Sequence, residues 1–170
     1  MKNMKKVLVL AIVVLGFAAS SFAQVTATAS TTAIIITPIA ITKTVDMNFG
    51  NIAVSPTLGG TVVLPTAGSR TLTGGVTLPV VTGTVTAASF TVTGEGSSTY
   101  SITLPSSAIT LTGPSGTMTV QNFVSTPSST GALTSGSQQV KVGATLNVSA
   151  AQAAGTYTNA SGLFVTVNYN

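Results

Sequence analysis

The sequence contains no cysteine, no histidine and no tryptophan, and its 170 residues include only two acids and six bases. Each absence removes a class of chemistry. Without Cys there is no disulfide framework and no thiolate nucleophile. Without Cys or His the usual zinc ligand sets and His-based triads are gone. A two-carboxylate mechanism has only Asp46 and Glu95 to draw on. Charged residues make up 5% of the chain, against roughly 25% in ordinary globular domains. The hydrophobic share is 44%. Disordered chains show the reverse balance, so this chain is expected to fold, and its length suits one domain.

What is present begins with a leader. Lys2, Lys5 and Lys6 precede an apolar run over residues 7–17, too short to span a bilayer comfortably. Ser21-Phe22-Ala23 then sets small residues at the two positions that a signal peptidase reads. Residues 1–23 are expected to be a Sec-type signal peptide, cleaved between Ala23 and Gln24, which sends the protein out of the cell or to its outer surface. No Cys follows the run, which excludes a lipoprotein anchor. Three bases leave with the leader. Lys43, Arg70 and Lys141 then face Asp46 and Glu95, a net charge of +1 in place of +4. The sequence pI of about 9.8 therefore reflects the leader and supports no nucleic-acid footprint. No second long apolar run follows, so the mature chain is expected to hold no transmembrane segment.

The mature chain is dominated by Thr, Val, Ser and Gly. Threonine and valine are β-branched and stiff at χ1, which suits a pleated, half-buried surface. Periodicity agrees. Ala88, Phe90 and Val92 alternate with Ser89, Thr91 and Thr93, and Tyr100, Ile102 and Leu104 alternate with Ser101 and Thr103. Met118 and Val120, then Val140, Val142, Leu146 and Val148, then Leu163, Val165, Val167 and Tyr169 repeat the pattern. Gly143-Ala144 interrupts one run and reads as a bulge. Turn-rich stretches punctuate the runs; residues 125–137 read as a surface loop and 149–154 as a single helical turn. The expected fold is all-β: one antiparallel β-sandwich of immunoglobulin-like, pilin-like architecture over residues 33–170, with roughly eight to ten strands. A Thr/Ala/Ser-rich segment, residues 24–32, precedes it.

Two segments stand out. Residues 33–45 read Ala-Ile-Ile-Ile-Thr-Pro-Ile-Ala-Ile-Thr-Lys-Thr-Val, apolar and strongly β-prone. Pro38 lacks an N–H and belongs at an edge or a break between short strands. The segment is either the first strand of its own sandwich or a donor strand that completes a neighbour's sheet. A third arrangement exports the part before Pro38 and keeps residues 39–45 at home. Ile34, Ile35, Ile36, Ile39, Ile41 and Val45 are its candidate assembly residues. The second segment holds Gly155 and Tyr157. Gly155 permits a tight turn, and the Tyr157 hydroxyl needs a partner. A structural corner, with that hydroxyl bonded to nearby backbone, is the expected role.

Ordered along the chain are Ile39-Ala-Ile-Thr-Lys-Thr, Met47-Asn-Phe-Gly50-Asn-Ile, Ala88-Ser-Phe-Thr-Val-Thr-Gly94, Tyr100-Ser-Ile-Thr-Leu-Pro105, Val142-Gly-Ala-Thr-Leu-Asn-Val148 and Ala154-Gly-Thr-Tyr-Thr158, closing into Val-Thr-Val-Asn-Tyr-Asn170. This set resembles a secreted bacterial family, domain of unknown function 4402, which brings no established activity. More distantly, the Gly-Thr-Tyr turn before an alternating last strand is similar to the spore-coat-U-like pilins of archaic chaperone–usher systems. That resemblance implies an incomplete immunoglobulin-like sandwich that polymerises by donor-strand exchange. The present chain lacks the cysteines usual in those pilins.

The remaining chemistry is thin. Neither Lys43 nor Lys141 stands in a Ser-x-x-Lys sequence. Lys43 and Asp46 are expected to pair at a strand end, and Glu95 in Gly94-Glu95-Gly96 to face water. No catalytic, cofactor or metal site is expected. Phe123 and Phe164 are the aromatics expected to be exposed, which keeps a glycan- or protein-binding module as the alternative. The expectation is a secreted, non-catalytic structural or adhesive protein that associates with itself through strand edges. Its first consequence concerns export: the intact mass of the secreted protein should correspond to a chain beginning at Gln24, and a retained leader would contradict it.

Overall fold

The computed structural model describes residues 24–160 and 162–170. The leader and Ala23 lie outside the described residues, and Gln24 is the first residue inside them. The chain divides into two units between Ile35 and Ile36. Of the first, residues 24–35 are described; they form no strand and every one is exposed.

The second unit is all-β, with antiparallel pairing throughout and no helix among the described residues. Its strands are β1 (Ala40–Val45), β2 (Ala53–Val54), β3 (Gly60–Leu64), β4 (Thr71–Gly74), β5 (Val76–Thr77), β6 (Ala88–Thr93), β7 (Thr99–Thr103), β8 (Ile109–Thr112), β9 (Thr117–Thr126), β10 (Thr130–Ala132), β11 (Ser137–Val148) and β12 (Thr166–Tyr169). Twelve segments exceed the eight to ten expected, because β2 and β5 are two-residue pieces and β10 has three residues. Pieces that short carry no readable alternation.

One sheet has seven strands. It runs β1-β6-β11-β3-β4, with β9 also on β11 and β8 beyond it. A second sheet runs β10-β7-β12, and β2-β5 form a ribbon. Strand β11 organises the first sheet. Residues 137–142 pair with β6, residues 144–148 pair with β3, and β9 pairs with the strand from Lys141 to Asn147. Side chains alternate across a strand, so even-numbered positions from Val140 to Val148 all turn inward and are buried.

Two apolar cores result. The first joins Phe90 and Val92 of β6, Tyr100 and Ile102 of β7, Val140 and Val142 of β11, and Val167 of β12, clamping the two sheets together as in a sandwich. The second gathers Phe49, Val62, Leu64, Val76, Val120, Leu146 and Val148. Met47 and Phe123 pack against both.

Four local expectations change. Gly143-Ala144 does not bulge β11, whose inward phase is continuous. The irregularity lies opposite, on β9: Gly143 faces Val124 and Thr145 faces Gln121, so Asn122 and Phe123 together oppose one residue. Asn122 adopts φ +54°, a left-handed conformation that asparagine tolerates. The bulge flips the strand's phase. Val120 points inward before it, Phe123 after it, and Val124 is turned outward, half exposed. Phe123 is accordingly part-buried in both cores, not exposed as its sequence context suggested.

Residues 125–137 are not one loop. They end β9, form β10 and lead into β11, with a cis Thr126–Pro127 bond between the first two strands. Thr/Ser/Gly content looked loop-like, but cross-strand pairing of Gly131 with Tyr100 overrides it. Residues 149–154 form no helical turn, since Ala151 sits at φ +50° and donates its N–H to the Ser55 carbonyl.

Tyr100 shows how the sheets are tied. Its ring is fully buried, and its hydroxyl donates to Gln138 Oε1 at 2.6 Å. The same oxygen accepts the Ala132 N–H at 3.0 Å. One amide on β11 thereby holds β7 and β10. Burial pushes the Tyr100 phenol pKa up, because the phenolate would lie in an apolar interior. Folding therefore favours the neutral phenol. That contribution is complete below the ordinary tyrosine pKa and fades as pH rises through the raised folded value. Tyr100→Phe should cost about 1 kcal/mol, the usual net worth of one hydrogen bond. Tyr100→Ala should cost about 3–5 kcal/mol, as large core truncations do. Urea unfolding of both variants checks the pair, and equal losses would contradict the assigned hydrogen bond.

Candidate assembly site

The candidate assembly residues divide at Pro38. Ile34 and Ile35 are 84% and 98% exposed, and Ile36 is 48% exposed. Ile39 and Ile41 are part-buried and pack against the first core. Val45 is exposed beside a register irregularity, where Lys43 faces Phe90 and Val45 faces Ser89. Strand β1 thus pairs with β6 of its own chain from Ala40 to Val45. Strand β1 ends its sheet, and β12 ends the other. The two approach one another along one flank without pairing.

Thr37 is gripped from two sides. Its N–H donates to Glu95 Oε2 at 3.1 Å, and its carbonyl accepts the Tyr169 hydroxyl at 2.8 Å. Tyr169 Oη also accepts the Glu95 N–H at 2.6 Å. The β6–β7 loop, the last strand and the residue before Pro38 therefore form one closed set of hydrogen bonds. The loop needs Gly94, because any Cβ there would run into the Tyr169 hydroxyl. Glu95 does not simply face water as expected; it is only partly exposed and its carboxylate is engaged. No sequence signal marks this clamp, since Thr37, Glu95 and Tyr169 are far apart in the chain.

A cleft opens at the other end of β1. Its volume is about 1010 Å³, large even among small-molecule sites. Ala88, Phe90, Val120 and Leu146, all buried, contribute from both cores, and Phe123 adds its ring. Exposed polar residues also line it, among them Thr84, Asn51 and Thr158. Arg70 stiffens one wall by donating from Nη1 to the carbonyls of Phe49 and Asn51. Lys43 and Asp46 also line the cleft and neutralise each other at 2.5 Å, as their spacing predicted. That pair is well exposed, so it contributes at most about 1 kcal/mol.

Tyr157 forms another wall. Its hydroxyl lies 2.8 Å from the Ala153 carbonyl and 3.0 Å from the Ser115 carbonyl, and it accepts the Gln152 side-chain N–H at 2.8 Å. A phenol has one proton, so the two carbonyls share it. Gly155 takes φ +153° and lies against Pro114, where a side chain would collide. The Tyr157 hydroxyl is thus committed to the backbone. Phe164 is exposed, at 57%.

Hydrogen bonds from Thr37, first its N–H and then its hydroxyl, hold the Glu95 carboxyl below its ordinary pKa and outweigh a small opposing effect of burial. Folding therefore favours the carboxylate. The contribution is complete above the ordinary glutamate pKa and is lost as pH falls through the lowered folded value. In an NMR titration the Thr37 amide proton should shift with a midpoint below that of an ordinary glutamate. Glu95→Gln should abolish that titration and Tyr169→Phe should preserve it. A Thr37 amide insensitive to acid would contradict the clamp.

No curated protein and no solved structure matches the chain. A family model matches residues 39–169, from the first isoleucine packed on the core to the tyrosine of the clamp, and leaves out the exposed isoleucines. Its description is Domain of unknown function (DUF4402), and the chain belongs to that family.

Proposed function

We propose that the protein is a secreted, non-catalytic structural protein of the cell surface or extracellular matrix, a pilus-like subunit whose copies associate by strand-edge pairing. The observation that carries this reading is the exposed run Ile34-Ile35-Ile36, set in a stretch from Gln24 to Thr42 without a single charge. Three consecutive β-branched residues in water are costly to leave uncovered. Each would gain about 1.5–3 kcal/mol on full burial. Among the described residues their backbone also has no strand partner, which makes the segment a ready β-augmenting peptide. The scarcity of charge leaves little to guard the edges of β1 and β12 against pairing.

The absence of enzymatic activity belongs to the same proposal. Asp46 is paired with Lys43, and Glu95 is bonded to Thr37.

A monomeric adhesin or binding module is the second reading, favoured by exposed Phe164. Ligand contacts for such a module would fall in the stretches 94–98 and 125–137. Residues 94–98 carry the clamp, and residues 125–137 hold β10 between the end of β9 and the start of β11.

Two truncations test the proposal. The mature protein should form large oligomers or fibres by light scattering and negative-stain microscopy. Removal of residues 24–36 should leave a folded monomer. Removal of residues 24–45 also strips β1, with Ile39 and Ile41, and should unfold the domain. A mature protein that stays monomeric and retains glycans or proteins would establish the binding module instead.

A further inference from the structure

We propose that the cleft beside the end of β1 binds a neutral glycan, held by the side-chain amides of Asn48 and Asn51. The inference deepens the binding-module reading, naming a site and a ligand class for it, and does not depend on self-association. Both residues belong to Met47-Asn-Phe-Gly50-Asn-Ile52, a motif that lies between β1 and β2 and takes no part in the clamp. The first observation is that this stretch is rigid. Asn48 exchanges backbone hydrogen bonds with Thr86 at 2.8 and 3.0 Å, and the Asn51 N–H donates to the Thr82 carbonyl at 2.7 Å. Between them Phe49 is buried in the second core, and Arg70 donates to the carbonyls of Phe49 and Asn51. Gly50 closes the turn at φ +67°, where a Cβ would run into the Thr82 carbonyl.

The second observation is what the rigid stretch offers. Each asparagine uses one half of its amide within the protein: Asn48 Oδ1 accepts the Gly50 N–H at 2.8 Å, and Asn51 Nδ2 donates to the Val81 carbonyl at 3.0 Å. The other halves, a donor at Asn48 Nδ2 and an acceptor at Asn51 Oδ1, have no partner among the described residues. Both residues are exposed and line the cleft. A held donor and a held acceptor on one short loop suit sugar hydroxyls, which both give and receive a hydrogen bond. Amides already fixed in orientation also lose little side-chain freedom on binding.

The third observation is the character of the lining. Phe90 and Phe123 give it an apolar floor, while Thr84, Thr156 and Thr158 bring hydroxyls to an exposed rim. Sugars match that division, with C–H faces and hydroxyl edges. Lys43 and Asp46 are the only charges among the described lining residues, and they neutralise each other. Charge complementarity therefore selects an uncharged ligand and works against acidic sugars. An acyl chain would leave both asparagine halves unpaired, at a cost in affinity. A volume of about 1010 Å³ suits an oligosaccharide better than a single ring.

The test titrates isotope-labelled mature protein with neutral oligosaccharides of glucose, galactose, mannose or N-acetylglucosamine. An oligogalacturonate and a terminally blocked Val/Thr peptide are the competing probes. At least one neutral series should bind and shift the side-chain amide signals of Asn48 and Asn51 in the NMR spectrum. Asn48→Asp keeps an oxygen for the Gly50 N–H and replaces the free donor with an acceptor, so it should weaken binding by about tenfold or more. Asn168→Asp makes the same charge change on exposed β12, outside the cleft lining, and should bind as the native protein does. Thr84→Arg, on the exposed rim, should block the cleft without touching a core, and it carries the test if Asn48→Asp fails to fold. Binding of no neutral oligosaccharide would overturn the inference, as would a preference for the oligogalacturonate or the peptide, or binding that survives Thr84→Arg. Light scattering on the same samples separates the two proposals. Oligomers that bind no sugar would leave strand-edge association standing, and a sugar-binding monomer would overturn that association alone.

Discussion

The unbroken inward phase of β11 is the constraint on which the rest of the structure depends. One strand lines two cores because every even-numbered side chain from Val140 to Val148 points the same way. A one-residue slip would turn that whole set to solvent. The strand also changes partner midway, from β6 to β3, while β9 spans the change from the other side. Gly143 sits at the change, and a side chain there would collide with the Leu64 and Pro65 backbone. The glycine is therefore a site of close approach in a continuous strand, which is why it looked like a bulge in the sequence.

The alternations at 88–93, 100–103 and 140–148 were legible because each places one apolar set on one face of a strand; of the run at 163–169 only residues 166–169 form a strand, β12. The β9 bulge was not legible. Asn122 breaks the pattern, but only the partner strand shows that it advances the phase and does not end the strand. With that phase hidden, Phe123 was assigned to solvent. Residues 125–137 misled for a related reason. Their hydroxyl-rich composition is neutral between loop and strand, and pairing with β7 decides the matter. The Lys43–Asp46 pair was legible because its partners are three residues apart. The Thr37 clamp and the cleft were not, because their residues converge only through the topology.

Proline and the clamp together explain why one apolar stretch behaves as two. Residues 34–41 hold five isoleucines of similar character. Pro38 cannot donate to a ladder, so continuous pairing across it is interrupted. Beyond it, Ile39 and Ile41 gain the first core. Before it, Thr37 is held by a carboxylate and a phenol, and the isoleucines further upstream gain no pairing partner among the described residues. The family match beginning at Ile39 follows the same division.

The division bears on what self-association would cost. A chain that had to give up β1 to a neighbour would expose Ile39 and Ile41 and leave β6 without one of its partners. Assembly would then compete with folding, and each subunit would be unstable until paired. With β1 paired at home, a donor ending at the clamp draws only on residues outside the core. Ordering such a segment costs about 1–2 kcal/mol per residue in backbone freedom, whereas burying each isoleucine returns about 1.5–3 kcal/mol. For a segment as short as residues 33–37 the two nearly balance without further contributions. The surplus must come from backbone hydrogen bonds to a neighbour's sheet edge. Polar side chains on the donor would forfeit that balance. An unbroken run of isoleucine, and not the Thr/Ser/Ala composition of the residues before it, is what the balance requires.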